Sequence, residues 1–418
     1  MMTTVLPYAI HHIYLDKMQD ITFEKKVNSY LVFWWRSIPL GHLFIDTGTQ
    51  LIETFFKAEI LKIISNTIDE YNSDKNLSEK YKLAFAKNER ATFHAIMNAI
   101  FSPVISHKKL FKVPVSVVIC TRNRSYFLQK CIDSLLDQHC LPQEIIVVDN
   151  APSDDSTLKI TAQFPSVIYC KEMRPGLDVA RNTGAKKAGY PVVAYVDDDV
   201  LVHSDWCYRV WEAFNDSSIG AVTGLIIATS LVTESQQIFE KHWGFNKGYK
   251  KLLFDKNFLN PSAPKVWDIG AGANMAFRKS ILEELDYFDE RLDVGAAGCS
   301  GDSEIWYRML LAGKTIKYVP LAVAYHAHRD TIEQLHKQLF NYMRGSVVAA
   351  FIQHKYSKNS GYKKYVYFGL PKYYFLLLRL GFPDYTFRYK TIFTEIKGII
   401  SGIKFYYSNE SKPPFHKN

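Results

Sequence analysis

From residue 113 to residue 329, short apolar β-branched runs alternate with stretches of helical periodicity, and no other feature constrains the fold as tightly. VSVVIC at 115–120, EIIVV at 144–148 and the runs at 167–170 and 192–196 read as strands. Residues 126–138, 156–164 and 177–189 read as the helices between them. Strands that are apolar throughout belong to a sheet covered on both faces, and alternation with helices predicts parallel neighbours. The expected fold class is α/β, a mostly parallel sheet flanked by helices. Right-handed crossovers bring the carboxyl ends of such strands to one edge. Thr121, Asp149 and the triplet Asp197, Asp198 and Asp199 then converge there, where open α/β sheets bind their ligands.

Three consecutive carboxylates at a strand tip repel one another, so a proton or a cation is expected among them. A divalent metal held by Asp197 and Asp199 and shared with a diphosphate answers this; a solvated acidic turn is the plainer alternative. Alternation along a strand turns Asp198 away from its neighbours. Asp149 can accept from a base N–H or from ribose hydroxyls. Thr121 and the backbone that follows, Arg122 and Asn123, can hold the base edge. In the stretch 174–184 (RPGLDVARNTG), a Pro-Gly turn precedes a helix whose first amides can face an anion. Arg181 can add a charge-assisted contact to a phosphate, or form a surface salt bridge.

Six short motifs stand in a fixed order: TRNR after the first strand, VVDN at 147–150, G-x-x-x-ARNxG at 176–184, YVDDD at 195–199, IGAGANMAFR at 269–278 followed by FDE at 288–290, and GDSE at 301–304 followed by Arg308 and Ala312-Gly313. Together they resemble the family 2 glycosyltransferases with the GT-A nucleotide-sugar fold, over residues 113–328. The resemblance implies transfer of a sugar, with inversion, from a nucleoside diphosphate sugar, a UDP-sugar first, to an acceptor hydroxyl. The acceptor would be a glycan or a lipid-linked saccharide in surface polysaccharide or glycoconjugate synthesis. Asp302 matches the acid that deprotonates that hydroxyl, and a carboxylate opposite the leaving group suits the chemistry. A helix N-cap is the plainer use of Asp302. Gly301 stands where many members carry a second acid. Asp199 matches the metal-binding acid, with Asp197 beside the ribose or the metal. His326 matches a third metal ligand of some relatives, with His328 as second choice. An imidazole in the set tilts the cofactor from Mg²⁺ toward Mn²⁺. Gly270, Gly272 and Asn274 match a loop near donor sugar and acceptor. Trp267 would stack on a sugar or pack in the core. Glu304 would help hold the acceptor, or pair with Arg308 one helical turn on.

The flanks are read as an N-terminal accessory region (1–112), a central domain (113–330) and a C-terminal region (331–418). Residues 1–112 show a strand at 29–35, a helix at 52–68, a polar linker at 72–79 and no chemical motif. The net charge of +9 is carried entirely by residues 330–418, where 14 Lys and Arg face 5 Asp and Glu. That region also holds 20 of the 53 Phe and Tyr. It reads as helical at 335–353 and 393–406, punctuated by Pro371, Gly381 and Pro383. Basic residues mixed with aromatic rings suit an anionic membrane surface; simple packing on the neighbouring domain is the alternative, and nucleic acid is not expected. None of the six cysteines forms a CxxC pair, which reads as reduced thiols. The first 15 residues lack a basic, then apolar, leader pattern, and no apolar run approaches the ~18 residues that span a bilayer. The expected location is the cytoplasm, at the inner face of the membrane. Two other classes share parts of this pattern. One is a non-catalytic nucleotide-sugar-binding subunit. The other is a sugar-nucleotide pyrophosphorylase, whose Gly-rich loop the CTRNR segment does not provide.

Overall fold

The computed structural model describes residues 6–17, 27–49, 53–72, 74–105, 111–293, 296–381 and 388–409. Strands β1 (Tyr8–Tyr14), β2 (Asn28–Trp35) and β3 (Ile38–Ile45) form a small sheet, β1 parallel and β3 antiparallel to the central β2. Every residue of β2 is buried, as an apolar run in a covered middle strand should be. Helices Glu53–Tyr71, Lys75–Ala86 and Arg90–Ile105 follow. The polar linker expected at 72–79 is mostly the start of the second of these helices. The Asp74 carboxylate caps it, accepting from the Asn76 N–H at 2.8 Å. Its polar residues are the solvated face of a surface helix rather than a break.

The central sheet contains β4 (Lys112–Thr121), β5 (Leu141–Asn150), β6 (Val167–Glu172), β7 (Val192–Asp197), β8 (Val200–Val202), β9 (Ile219–Ala228), β10 (Leu252–Phe254), β11 (Asn274–Arg278) and β12 (Thr315–His326). Their order is β10-β12-β9-β11-β7-β4-β5-β6, with β8 paired to β12. The block β7-β4-β5-β6 is wholly parallel, and β9 and β12 are parallel to each other. Strand β11 is inserted antiparallel between β7 and β9. Register makes the expected convergence concrete: Thr121 stands opposite Asp149, and Cys120 opposite Asp197.

The C-terminal region packs on this domain rather than beside it. Helix Ile332–Tyr356 runs so close to the Cys299 backbone that Gly345 has no room for a Cβ. Further along, Gln353 donates to the Ser303 carbonyl at 3.3 Å. Residues 362–380 form one continuous helix with a π turn at Tyr365–Gly369. Pro371 therefore does not punctuate the chain as expected. It sits just after the π turn, which re-routes the backbone bonds that its missing N–H would break. Gly381 ends the helix, and Pro383 lies outside the described residues. The last helix is Ile392–Asn409. Among the described residues no helix is long and apolar enough to cross a membrane, and all six cysteines are unpaired.

Candidate active site

The acid triplet lies where β7 ends and the chain turns into β8. Arg124, just past β4, organises it. One guanidinium nitrogen donates to Asp198 at 2.6 Å and the other to Asp199 at 2.7 Å. Thr121 donates its hydroxyl to the other oxygen of Asp198 at 2.7 Å. Burial pushes the Asp198 carboxyl up to about 7, against the pull of Arg124. Arg329, just beyond β12, reaches Asp199 at 3.3 Å. Burial raises Asp199 too, but the opposing charges around it bring it down to about 2, so it is ionised.

Asp197, Asp199 and His326 each present one ligand atom, all within 4.8 Å of one another. Burial holds the His326 imidazole down at about 4, so the ring is neutral near pH 7. His328 Nε2 lies 2.8 Å from a Glu240 oxygen, and His328 Nδ1 lies 3.3 Å from His326 Nδ1. His326 Nε2 faces an Asp199 oxygen at 3.5 Å. A neutral imidazole and a carboxylate turned toward each other fit a cation between them. Asp198 stands outside this group.

Asp302 opens helix Gly301–Leu311. One of its oxygens accepts from the Gly272 N–H at 2.9 Å. Gly272 is needed there: a Cβ would lie 2.7 Å from Arg181 Nη2 and 3.0 Å from Asp302 Oδ2. Arg181 is buried, donates to Asp178 at 3.0 Å and approaches Asp197 Oδ1 at 3.9 Å. It therefore sits between the Asp197–Asp199–His326 group and Asp302. A Cβ on Gly301 would run into the Asp178 carboxylate. The place of a second acid at 301 is thus taken by Asp178, supplied from another helix. Burial pushes the Asp178 carboxyl well up, while Arg181 pulls it down.

Asp197, Arg181, Gly272 and Asp302 line one cavity of about 930 Å³. It is further lined by the cations Arg124, Arg329, Lys247 and Lys337, and by Leu292, Tyr342, Tyr362, Tyr365, Leu370 and Tyr373. Trp267 also lines it, half-buried, with its ring centroid 6.4 Å from that of Tyr365.

Several expected site residues are committed elsewhere. Asn274 is buried. It accepts from the Trp206 indole at 2.8 Å and donates to the Leu225 and Ala322 carbonyls, so it fastens the sheet and is not free for a sugar. Glu304 is fully buried and takes two 2.7 Å bonds from Arg308, which also donates to the Leu285 and Tyr287 carbonyls. Neither side chain lines the cavity. The first amides of helix Leu177–Lys187 do face an anion, but it is the protein's own. The Asp293 carboxylate accepts from Asp178 N–H at 2.8 Å and Val179 N–H at 3.1 Å. Thr121 spends its hydroxyl on Asp198. Asp149 is fully buried and accepts from the Tyr169 hydroxyl at 2.8 Å; burial raises its carboxyl against that bond. Arg122 is exposed, and Asn123, at φ 55°, is exposed and accepts from the Ser153 N–H at 3.0 Å. Arg124, Asp178, Asp293, Arg329 and Glu240 were not expected, and His328, the second choice of metal ligand, stands between Glu240 and His326. Only Arg124 had a local signal, as the second arginine of the TRNR motif.

Residues 116–286 match the family model described as "Glycosyl transferase family 2". That stretch is similar to the family 2 glycosyltransferases. The matched stretch runs from β4 past β11. The chain is similar to a glycosyltransferase, GlyA, of Streptococcus pneumoniae, 22% identical over 53% of this chain and 32% of that protein. It is also similar to poly-beta-1,6-N-acetyl-D-glucosamine synthase of Staphylococcus aureus, 24% identical over 55% of this chain and 54% of that protein. The aligned part thus spans about half the length, or less, of these curated relatives. Among solved structures, a mannosyltransferase from Pyrobaculum calidifontis in complex with GDP-Man and Mn²⁺ aligns over 82% of this chain and 99% of its own. Its identity is 14% and the TM-score 0.49.

Proposed function

We propose that the chain transfers a sugar from a nucleoside diphosphate sugar, a UDP-sugar first, to an acceptor hydroxyl with inversion. The observation that supports this best is that Asp302 and Asp197 line one cavity with Arg181 between them. Asp302, oriented by the Gly272 amide, takes the proton of the acceptor hydroxyl as that oxygen bonds to the anomeric carbon. Arg181 stays charged in its buried position and meets the negative charge that develops on the departing diphosphate. Arg124, Arg329 and Lys247 add to that positive field. Asp197, Asp199 and His326 would hold a divalent ion, Mn²⁺ before Mg²⁺ for the imidazole's sake. When bound, it would supply Lewis-acid stabilisation of the leaving group. Asp149, with Thr121, Arg122 and Asn123 at the neighbouring strand tip, marks the base and ribose end of the donor. Trp267 and Gly272 border the sugar and the acceptor. The relatives' names point to polysaccharide synthesis as the setting, and the acceptor would be a glycan or a lipid-linked saccharide at the cytoplasmic face of a membrane.

The test is turnover of a panel of UDP-, GDP- and dTDP-sugars with Mn²⁺, Mg²⁺ or EDTA. One donor consumed only with metal supports the reading and names the sugar. Failure of every nucleotide to bind would overturn it.

A further inference from the structure

The last two long helices carry a feature that catalysis does not use. On helix 362–380, Val366, Leu370, Tyr374 and Leu377 face inward and are buried. The opposite stripe is Phe368, Lys372, Phe375, Leu376 and Arg379, at spacings of one to three helical turns. Phe368 is 70% exposed and Phe375 61%. Helix Ile392–Asn409 repeats the arrangement. Ile392, Glu395, Ile399 and Gly402 are buried, and the outer stripe is Phe393, Lys397, Ile400, Lys404 and Tyr407. Phe393 is 69% exposed.

The two helices run antiparallel and are tied together through tyrosine hydroxyls. Tyr374 donates to Glu395 at 2.7 Å near one end, and the Tyr367 and Tyr407 hydroxyls meet at 2.7 Å near the other. Among the described residues, Lys372, Arg379, Lys397 and Lys404 pair with no carboxylate. Beside Phe368, Lys358, Lys363 and Lys364 line an open concavity of about 370 Å³.

We infer that this two-helix face docks on the surface of an anionic phospholipid bilayer. Large aromatic and aliphatic side chains left in water at regular spacing mark a binding face. Charge decides the occupant. The centre of a protein–protein interface is depleted of lysine, whereas here a cation stands between the apolar residues all along both stripes. That pattern lets rings enter the acyl boundary while lysine heads stay with the phosphates. The basic concavity suits a headgroup phosphate. Docking on this face also serves the site: Tyr365, Leu370 and Tyr373, on the first of these helices, line the cavity that holds Asp302. The acceptor hydroxyl would then arrive on an apolar carrier resting in the bilayer. That last step rests on the glycosyltransferase reading; the docking itself does not.

The experiment is flotation of the full chain with phosphatidylcholine vesicles, with and without phosphatidylglycerol. Two triple variants run beside it: Lys372→Gln/Lys397→Gln/Lys404→Gln and Phe368→Ser/Phe375→Ser/Phe393→Ser. The wild type is expected to float with anionic vesicles. At about fivefold per lysine, the charge variant should bind about 100-fold more weakly. The aromatic variant should also lose binding. Both should keep wild-type affinity for the donor nucleotide, which separates lost docking from lost folding. Equal flotation of all three proteins, or no flotation of the wild type, overturns the proposal. So does a wild type that sediments as a dimer while the variants are monomers, since the face would then join two copies. Vesicle binding without nucleotide binding would leave the docking face standing and remove the glycosyltransferase reading.

Discussion

Glu304 and Arg308 offer a sharp contrast between a structural and a binding role. Among the described residues, Glu304→Leu removes the only carboxylate that faces the Arg308 guanidinium at hydrogen-bond distance. It leaves that cation with just the Leu285 and Tyr287 carbonyls. Glu304 is fully buried and the Arg308 side chain is 12% exposed, so water does little to screen the loss. Breaking a buried pair from one side costs about 3–5 kcal/mol, because the surviving charge is stranded. Against a typical stability of about 5–15 kcal/mol, that is a large fraction. The double variant Glu304→Leu/Arg308→Met strands no charge and should cost less than the single change, a non-additivity that only a direct contact produces. The assay is the urea midpoint of wild type, both single variants and the double variant. Acceptor KM is measured on the folded protein. An unchanged midpoint for Glu304→Leu with a raised acceptor KM would refute the reasoning and return Glu304 to the acceptor site.

Other outcomes follow from the same geometry. Asp293→Ala uncaps helix Leu177–Lys187, whose Asp178 and Val179 amides it holds, and should cost about 1–2 kcal/mol in denaturant unfolding. Glu240→Gln or His328→Phe removes the partner that orients His326. Either should weaken Mn²⁺ binding about 10–100-fold in a titration followed by electron paramagnetic resonance, without donor present. Unchanged affinity would show that His326 is not a ligand.

The strand–helix alternation carried the fold, because apolar runs and crossover handedness are local properties that add up to a topology. The strand-tip convergence of Thr121, Asp149 and Asp197 was legible for that reason, and register made it literal. The inserted antiparallel β11 was not legible, since a five-residue run carries no sign of direction. Asn274 sits in a motif that reads as functional, yet its hydrogen bonds go to Trp206, Leu225 and Ala322, partners 48 to 68 residues away. Nothing local distinguishes such a fastening from a ligand contact. The same holds for Asp293 and Asp178, whose roles as helix cap and as the acid beside Gly301 exist only once distant segments meet. The C-terminal stripes were half visible. Composition showed basic and aromatic residues together, but only the helices show that Phe368, Phe375 and Phe393 face outward with the lysines.

The most direct test of the account is Asp302→Asn assayed for sugar transfer and, separately, for donor-nucleotide and Mn²⁺ binding. The Gly272 amide can still donate to the side-chain amide oxygen that this substitution introduces, so the loop should hold its shape. The expected result is loss of most transfer, about 10²–10⁴-fold, with both binding affinities near wild type. Transfer at near-wild-type rate would contradict it, because no base would then be needed at that position.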